Sequence, residues 1–73
     1  MLELSLPAAG PLRIELYDIA GRRRAVLADE ARAEAGFRRF ALRAPEGALS
    51  PGIYWYRATT ASATVQGRFV VIE

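Results

Sequence analysis

Residues 12–18, LRIELYD, narrow the fold of this chain more than any other stretch. Leu12, Ile14 and Leu16 alternate with Arg13, Glu15 and Tyr17. Side chains alternate between two faces on an extended backbone, so a period of two predicts a strand with one buried face. Leu12, Ile14 and Leu16 take that face, and Arg13, Glu15 and Tyr17 take the other. One amphipathic strand cannot bury its apolar side alone. The rest of the chain must therefore supply strands to pair with it and a layer to cover it.

Other segments fit that demand. Leu2, Leu4 and Leu6 alternate with Met1, Glu3 and Ser5, and Pro7 in the turn cluster PAAGP closes the run. After LRIELYD comes DIAG. Asp18 can accept a hydrogen bond from the backbone two residues on, and Gly21 can take a positive φ, which predicts a tight hairpin turn. Residues 22–28, RRRAVLA, then read as a returning strand. The stretch 29–36, DEARAEAG, has helix-favouring Ala, Glu and Arg but no apolar stripe to bury. It reads as a connecting loop with room for one helical turn, ended by Gly36. Residues 37–43, FRRFALR, form a further strand with Phe40 and Leu42 on one face. Residues 44–52 read as a crossing loop in which Leu49 points inward. Two strands follow, 53–60 and 64–72, joined by a hairpin loop at ASA. Gly67 inside the last one predicts a bulge or a close backbone approach. Six or seven short antiparallel strands separated by turn signals amount to an all-β sandwich, with residues 1–73 as a single domain.

The aromatic run Tyr54-Trp55-Tyr56 lies within one of these strands. Tyr54 and Tyr56 share one face, and Ile53 and Trp55 the other, so only one set enters a core. Trp55 is the ring expected at the surface, where an aromatic face can also stack on a sugar. Phe69, Val70, Val71 and Ile72 put apolar groups on both faces of the last strand, which predicts that it is well buried.

Catalytic chemistry finds little material. The chain has no cysteine and no histidine, so disulfides, thiolate ligands and the commonest general base are absent. Ser5, Ser50 and Ser62 lack a His or Lys to activate them. Asp18, Asp29, Glu30, Glu34 and Glu46 read as solvated acids of turns and loops. The run Asp29–Glu34 lacks the ligand spacing of a calcium loop. The expectation is a non-enzymatic protein with no metal, cofactor or catalytic residue. All ten basic residues are arginine, which fits either GC-rich codon usage or selection for guanidinium contacts. The net charge is only +2. Alternation sends Arg22 and Arg24 to one face and Arg23 to the other, and Arg38 and Arg39 also diverge. A continuous basic stripe is therefore broken, and nucleic-acid binding is not expected. No segment has the apolar length to insert in a bilayer, and the N-terminus lacks a basic, apolar signal pattern.

The order of these features resembles a known family. An LSLP strand leads to LRIELYDIAGR, then to LSPGIYWYR and a final GRFVVIE. This is similar to the C-terminal sorting domains of type IX secretion substrates and to the Ig-like domain of flagellar hook-capping proteins. The segments that carry the likeness are Tyr17-Asp18-x-x-Gly21-Arg22 and Leu49-Ser50-Pro51-Gly52-Ile53-Tyr54. Residues 42–44 are Leu-Arg-Ala where the hook-capping type has Trp-Asp-Gly, which favours the sorting type. Arg68 is the terminal base where sorting domains usually carry Lys, and the usual Asn-Pro-rich opening is missing. The resemblance implies a seven-stranded Ig-like sandwich at the C-terminus of a larger exported protein, secreted or at the cell surface by way of the periplasm. It implies that secretion machinery reads the domain. Asp18, Gly21 and Arg22 match its turn motif, Gly52 and Tyr54 its strand motif, and Arg68 is a candidate for recognition. Two further readings stay open: an Ig-like structural module that self-associates as a homo-oligomer through strand edges, and a sugar-binding module centred on Trp55.

Overall fold

The computed structural model describes residues 1–45 and 47–72; Glu46, one of the acids read as solvated, and Glu73 lie outside the described residues. The described chain is all strand and turn. Its strands are β1 (Leu2–Leu6), β2 (Gly10–Asp18), β3 (Arg23–Ala33), β4 (Gly36–Phe40), β5 (Arg43–Ala44), β6 (Gly47–Ala48), β7 (Gly52–Thr60) and β8 (Thr64–Val71). A four-stranded sheet runs in the order β3-β2-β7-β8, and β1-β4 and β5-β6 form two-stranded sheets. Every pairing is antiparallel.

The alternation of β2 decides where the core sits. Leu12, Ile14 and Leu16 are at most 1% exposed, and each buried side chain of this size contributes about 1.5–3 kcal/mol. Leu12 and Ile14 pack with Leu6, Ala28, Ala33 and Ala58, under the flanking Leu2, Leu4 and Phe40 of the β1–β4 pair. Leu16 packs with Ala25, Ala44, Leu49 and Tyr54, flanked by Leu42, Phe69 and Val71. One face of the four-stranded sheet is thus covered in two halves, by β1–β4 and by the segment that contains β5 and β6. Leu49 is the inward anchor that its position between two turns predicts.

The structure corrects four expectations. Residues 29–33 are strand, not loop. Asp29 and Glu30 pair with Arg13 and Leu12 across β2–β3, and Ala33 is buried opposite Gly10. Pairing along a strand already committed outweighs a helix propensity of tenths of a kcal/mol per residue. Register shifts interrupt this pair at three places. Each bulge resets which side chain faces inward, so no clean alternation survives in the sequence of β3. Next, β4 ends at Phe40, and Phe40 and Leu42 pack on different halves of the core rather than on one face. The crossing loop 44–52, in turn, carries part of the small β5–β6 hairpin.

The fourth correction concerns β8. It is an edge strand paired only with β7. Val65 is 51% exposed, Val70 61% and Ile72 81%. Only Phe69 and Val71 reach the core, from the partly buried side. Apolar content on both faces predicted burial, but the strand lies outermost in its sheet. Gly67 is not a bulge, because the β7–β8 register is continuous. It is a close approach: the Tyr56 ring lies over Gly67 where a Cβ would sit. An aromatic ring laid across a strand glycine covers backbone that would otherwise face water.

Candidate interaction face

The residues of the two sequence motifs come together at one end of the four-stranded sheet. Asp18 is not the solvated acid that its turn position predicts: it ends β2 with its side chain turned inward, 7% exposed, because local donors satisfy its carboxylate. Its Oδ1 accepts hydrogen bonds from the backbone N–H groups of Ala20 and Arg22, both at 3.0 Å. Its Oδ2 accepts from Arg22 Nε at 3.1 Å and lies 3.8 Å from Arg24 Nη1. The N–H of Gly21 donates to the Asp18 carbonyl, and that of Asp18 to the Arg22 carbonyl, both at 2.9 Å. Gly21 has φ +85°, a region open mainly to glycine. Donation from the Arg22 N–H holds the Asp18 carboxyl below its ordinary range; burial opposes this, and the Arg22 guanidinium and the Ala20 N–H reinforce it. These three motif residues fix the β2–β3 turn.

The second motif fixes the start of β7. Tyr54 is 4% exposed and its hydroxyl donates to the Ser50 carbonyl at 2.6 Å. Its ring stacks on Phe69 with centroids 5.6 Å apart and planes at 20°. Gly52 opens the strand two residues earlier. Asp18 and Tyr54 are direct cross-strand partners, so segments more than thirty residues apart in the chain meet side by side.

The opposite face of the same sheet is uncovered. Tyr17, Trp55 and Arg68 are successive register partners on β2, β7 and β8 and form one row across three strands. Glu15, Arg57 and Gln66 form the next row. Arg57 Nη2 donates to the Tyr17 hydroxyl at 2.7 Å, and its guanidinium carbon lies 5.1 Å from the Tyr17 ring centroid. The Arg68 guanidinium lies 5.9 Å from the centroid of Trp55, within range of a cation–π attraction. Tyr17, Gly21, Trp55, Arg57 and Gln66 line an open trough between the rows. Trp55, the ring expected at the surface, is 42% exposed.

Glu15 is the hub of this face. Arg13 Nη2, Arg23 Nη1 and Arg57 Nε lie 3.4, 3.5 and 3.9 Å from its carboxylate oxygens. Burial pushes the Glu15 carboxyl up, but the Tyr17 hydroxyl and the Arg13 and Arg23 guanidiniums outweigh it and hold the group below its ordinary range. Arg13 also pairs with Asp29 at 2.8 Å. Arg22 and Arg24 turn to Asp18 while Arg23 turns to Glu15. Arg38 pairs with Glu30 and Arg39 with Glu3. The basic runs are therefore split between faces, as alternation predicts.

Arg57 was not among the residues singled out from the sequence. Its signal is its place two residues after Trp55, which puts both on one face; the partner Tyr17 is set only by the β2–β7 register. Among the described residues no group of three or more Asp or Glu is arranged to hold a metal ion. No family model, curated protein or solved structure matches the chain.

Proposed function

We propose that the chain is a non-catalytic recognition module of Ig-like architecture, and that it serves as a C-terminal sorting or anchoring domain read by type IX secretion machinery. The observation that carries this reading is the meeting of Asp18 and Tyr54 as cross-strand partners. The two segments behind the family likeness thereby become one structural unit at one end of the sheet. The sheet order β3-β2-β7-β8 over β1-β4 supports the Ig-like reading. It follows the C′-C-F-G order of an Ig-like sheet opposed by a B–E pair. Tyr54 adds to this: a tyrosine near the start of the F-equivalent strand that donates to a carbonyl a few residues upstream is the tyrosine corner of such sandwiches.

The test is a reporter with its own signal peptide fused ahead of residues 1–73, expressed in a bacterium with a working type IX system and in a secretion-deficient strain. The expected result is system-dependent appearance of the reporter in the medium or on the surface. A folded fusion that stays in the periplasm of both strains contradicts the sorting role.

A second reading has its own support. The outer edge of β8 is unpaired, and Val65 and Val70 are exposed on the strand, with Ile72 exposed just after it. Such an edge is a template for strand pairing with another copy. Sedimentation that shifts to a dimer with rising concentration favours this self-associating module; a monomer at all concentrations removes it.

A further inference from the structure

We infer that the uncovered face of β2, β7 and β8 docks an acidic polypeptide segment, with Arg68 and Arg57 as the recognising guanidiniums and Trp55 and Tyr17 as the platform beneath them. The inference rests on the reading of the chain as a protein-recognition module and specifies the partner's chemistry. Charge complementarity argues for it. The face gathers four guanidiniums, Arg13, Arg23, Arg57 and Arg68, around two carboxylates, Glu15 and Asp29. Glu15 and Asp29 are already engaged by Arg13, and Glu15 by Arg23 and Arg57 as well. Arg68 contacts the Trp55 ring, and among the described residues no carboxylate lies within ion-pair distance of it. The face thus carries more guanidinium than carboxylate, with the excess centred on its aromatic row.

The aromatic rings make this excess usable. A guanidinium laid along a ring keeps its N–H edge free for a carboxylate, and part of its conformational freedom is lost before the partner arrives. The Tyr17–Trp55–Arg68 row and the trough beside it run across the strands. An extended peptide can lie along that row, with side-chain carboxylates reaching Arg68 at one end and Arg57 in the neighbouring row. Ile53 and Val70, cross-strand partners that are 38% and 61% exposed, add an apolar contact at the rim.

Trp55 is the single tryptophan of the chain and reports on this face directly. The probe is poly-L-glutamate, titrated into the full chain while Trp55 emission is read, with polygalacturonate as an acidic polysaccharide comparison. The expected result is a saturable change in emission with poly-L-glutamate that weakens with salt. Arg68→Glu should weaken binding about tenfold or more and Arg68→Gln less, as expected when a contact charge is reversed or removed. Arg43→Glu, the same charge change on β5 in the opposite layer, should leave affinity within about twofold, since it touches no part of the face. Circular dichroism checks that each variant is folded. Equal weakening by Arg43→Glu and Arg68→Glu overturns the inference in favour of general charge attraction. Binding of polygalacturonate but not poly-L-glutamate overturns it in favour of a sugar, and silence with both overturns it outright. The export assay is independent, so failure of this inference and failure of the sorting role are read separately.

Discussion

Strands β2 and β8 are both rich in apolar residues, yet they live in different environments. In β2, Leu12, Ile14 and Leu16 are at most 1% exposed. In β8, Val65 and Val70 are more than half exposed. β2 is bonded on both sides, by β3 and β7, while β8 is bonded only by β7. Position in the sheet, not composition, sets how much each side chain contributes. The central strand β2 anchors the core, and the edge strand is held by β7, through Phe69 on Tyr54 and the Tyr56 ring over Gly67. The outward-facing side of β8 is thereby free to carry Arg68 into a recognition surface.

That contrast can be broken most forcefully at its centre. Leu16→Ala should destabilise the domain by about 2–5 kcal/mol, read as a lower urea midpoint. A cost as small as that of an edge substitution would show that β2 is not the centre of the core. Gly67→Ala sharpens the comparison next. The added methyl meets the Tyr56 ring, and overpacking of this kind costs about 1–3 kcal/mol. Truncating the ring in the double variant Tyr56→Ala/Gly67→Ala should recover part of that cost in a double-mutant cycle; strict additivity would mean that the ring and the glycine are not coupled. Tyr54→Phe removes only the hydroxyl that donates to the Ser50 carbonyl and should cost about 1 kcal/mol. At the small end, Val70→Thr on the outer side of β8 should stay within about 0.5 kcal/mol.

Acid sensitivity belongs to the central strand as well. Asp18 and Glu15 both sit on β2, and both carboxyls are held below their ordinary range. A carboxyl with a lowered folded pKa stabilises the native state above its unfolded value, about 4, and that contribution is lost as pH falls through the folded value. Stability should therefore hold steady near neutrality and fall on acidification below about pH 4. Asp18→Asn keeps an oxygen to accept from the Ala20 and Arg22 N–H groups but loses the charge. Its acid limb should be shallower than that of the parent in denaturant melts between neutral and strongly acidic pH. Parallel limbs would mean that Asp18 plays no part in it.

Much of this was legible in sequence because alternation survives wherever a strand is regular. It placed Leu12, Ile14 and Leu16 inward, separated Trp55 from Tyr54 and Tyr56, and sent Arg22 and Arg23 to different faces. The Asp18–Gly21 turn was legible because its chemistry is local: one carboxylate, two nearby N–H groups and one glycine. Residues 29–33 were not legible, since bulges in β3 scramble the alternation that announces a strand. The exposure of β8 was hidden because strand order is a property of the sheet and leaves no local signature. The interaction face was half visible. Arg13, Glu15 and Tyr17 could be assigned to one side of β2, but joining them to Arg57, Trp55 and Arg68 required the registers of β2 with β7 and β7 with β8.

The most direct test of the account is amide hydrogen exchange, resolved by residue, on the monomeric chain at neutral pH. The amides of Leu12–Leu16 should exchange only through global unfolding, and those of β8 that point away from β7 should exchange orders of magnitude faster. Equal protection along both sides of β8 in a monomer would contradict the account, because it would mean that the edge is covered and that β8 is no less central than β2.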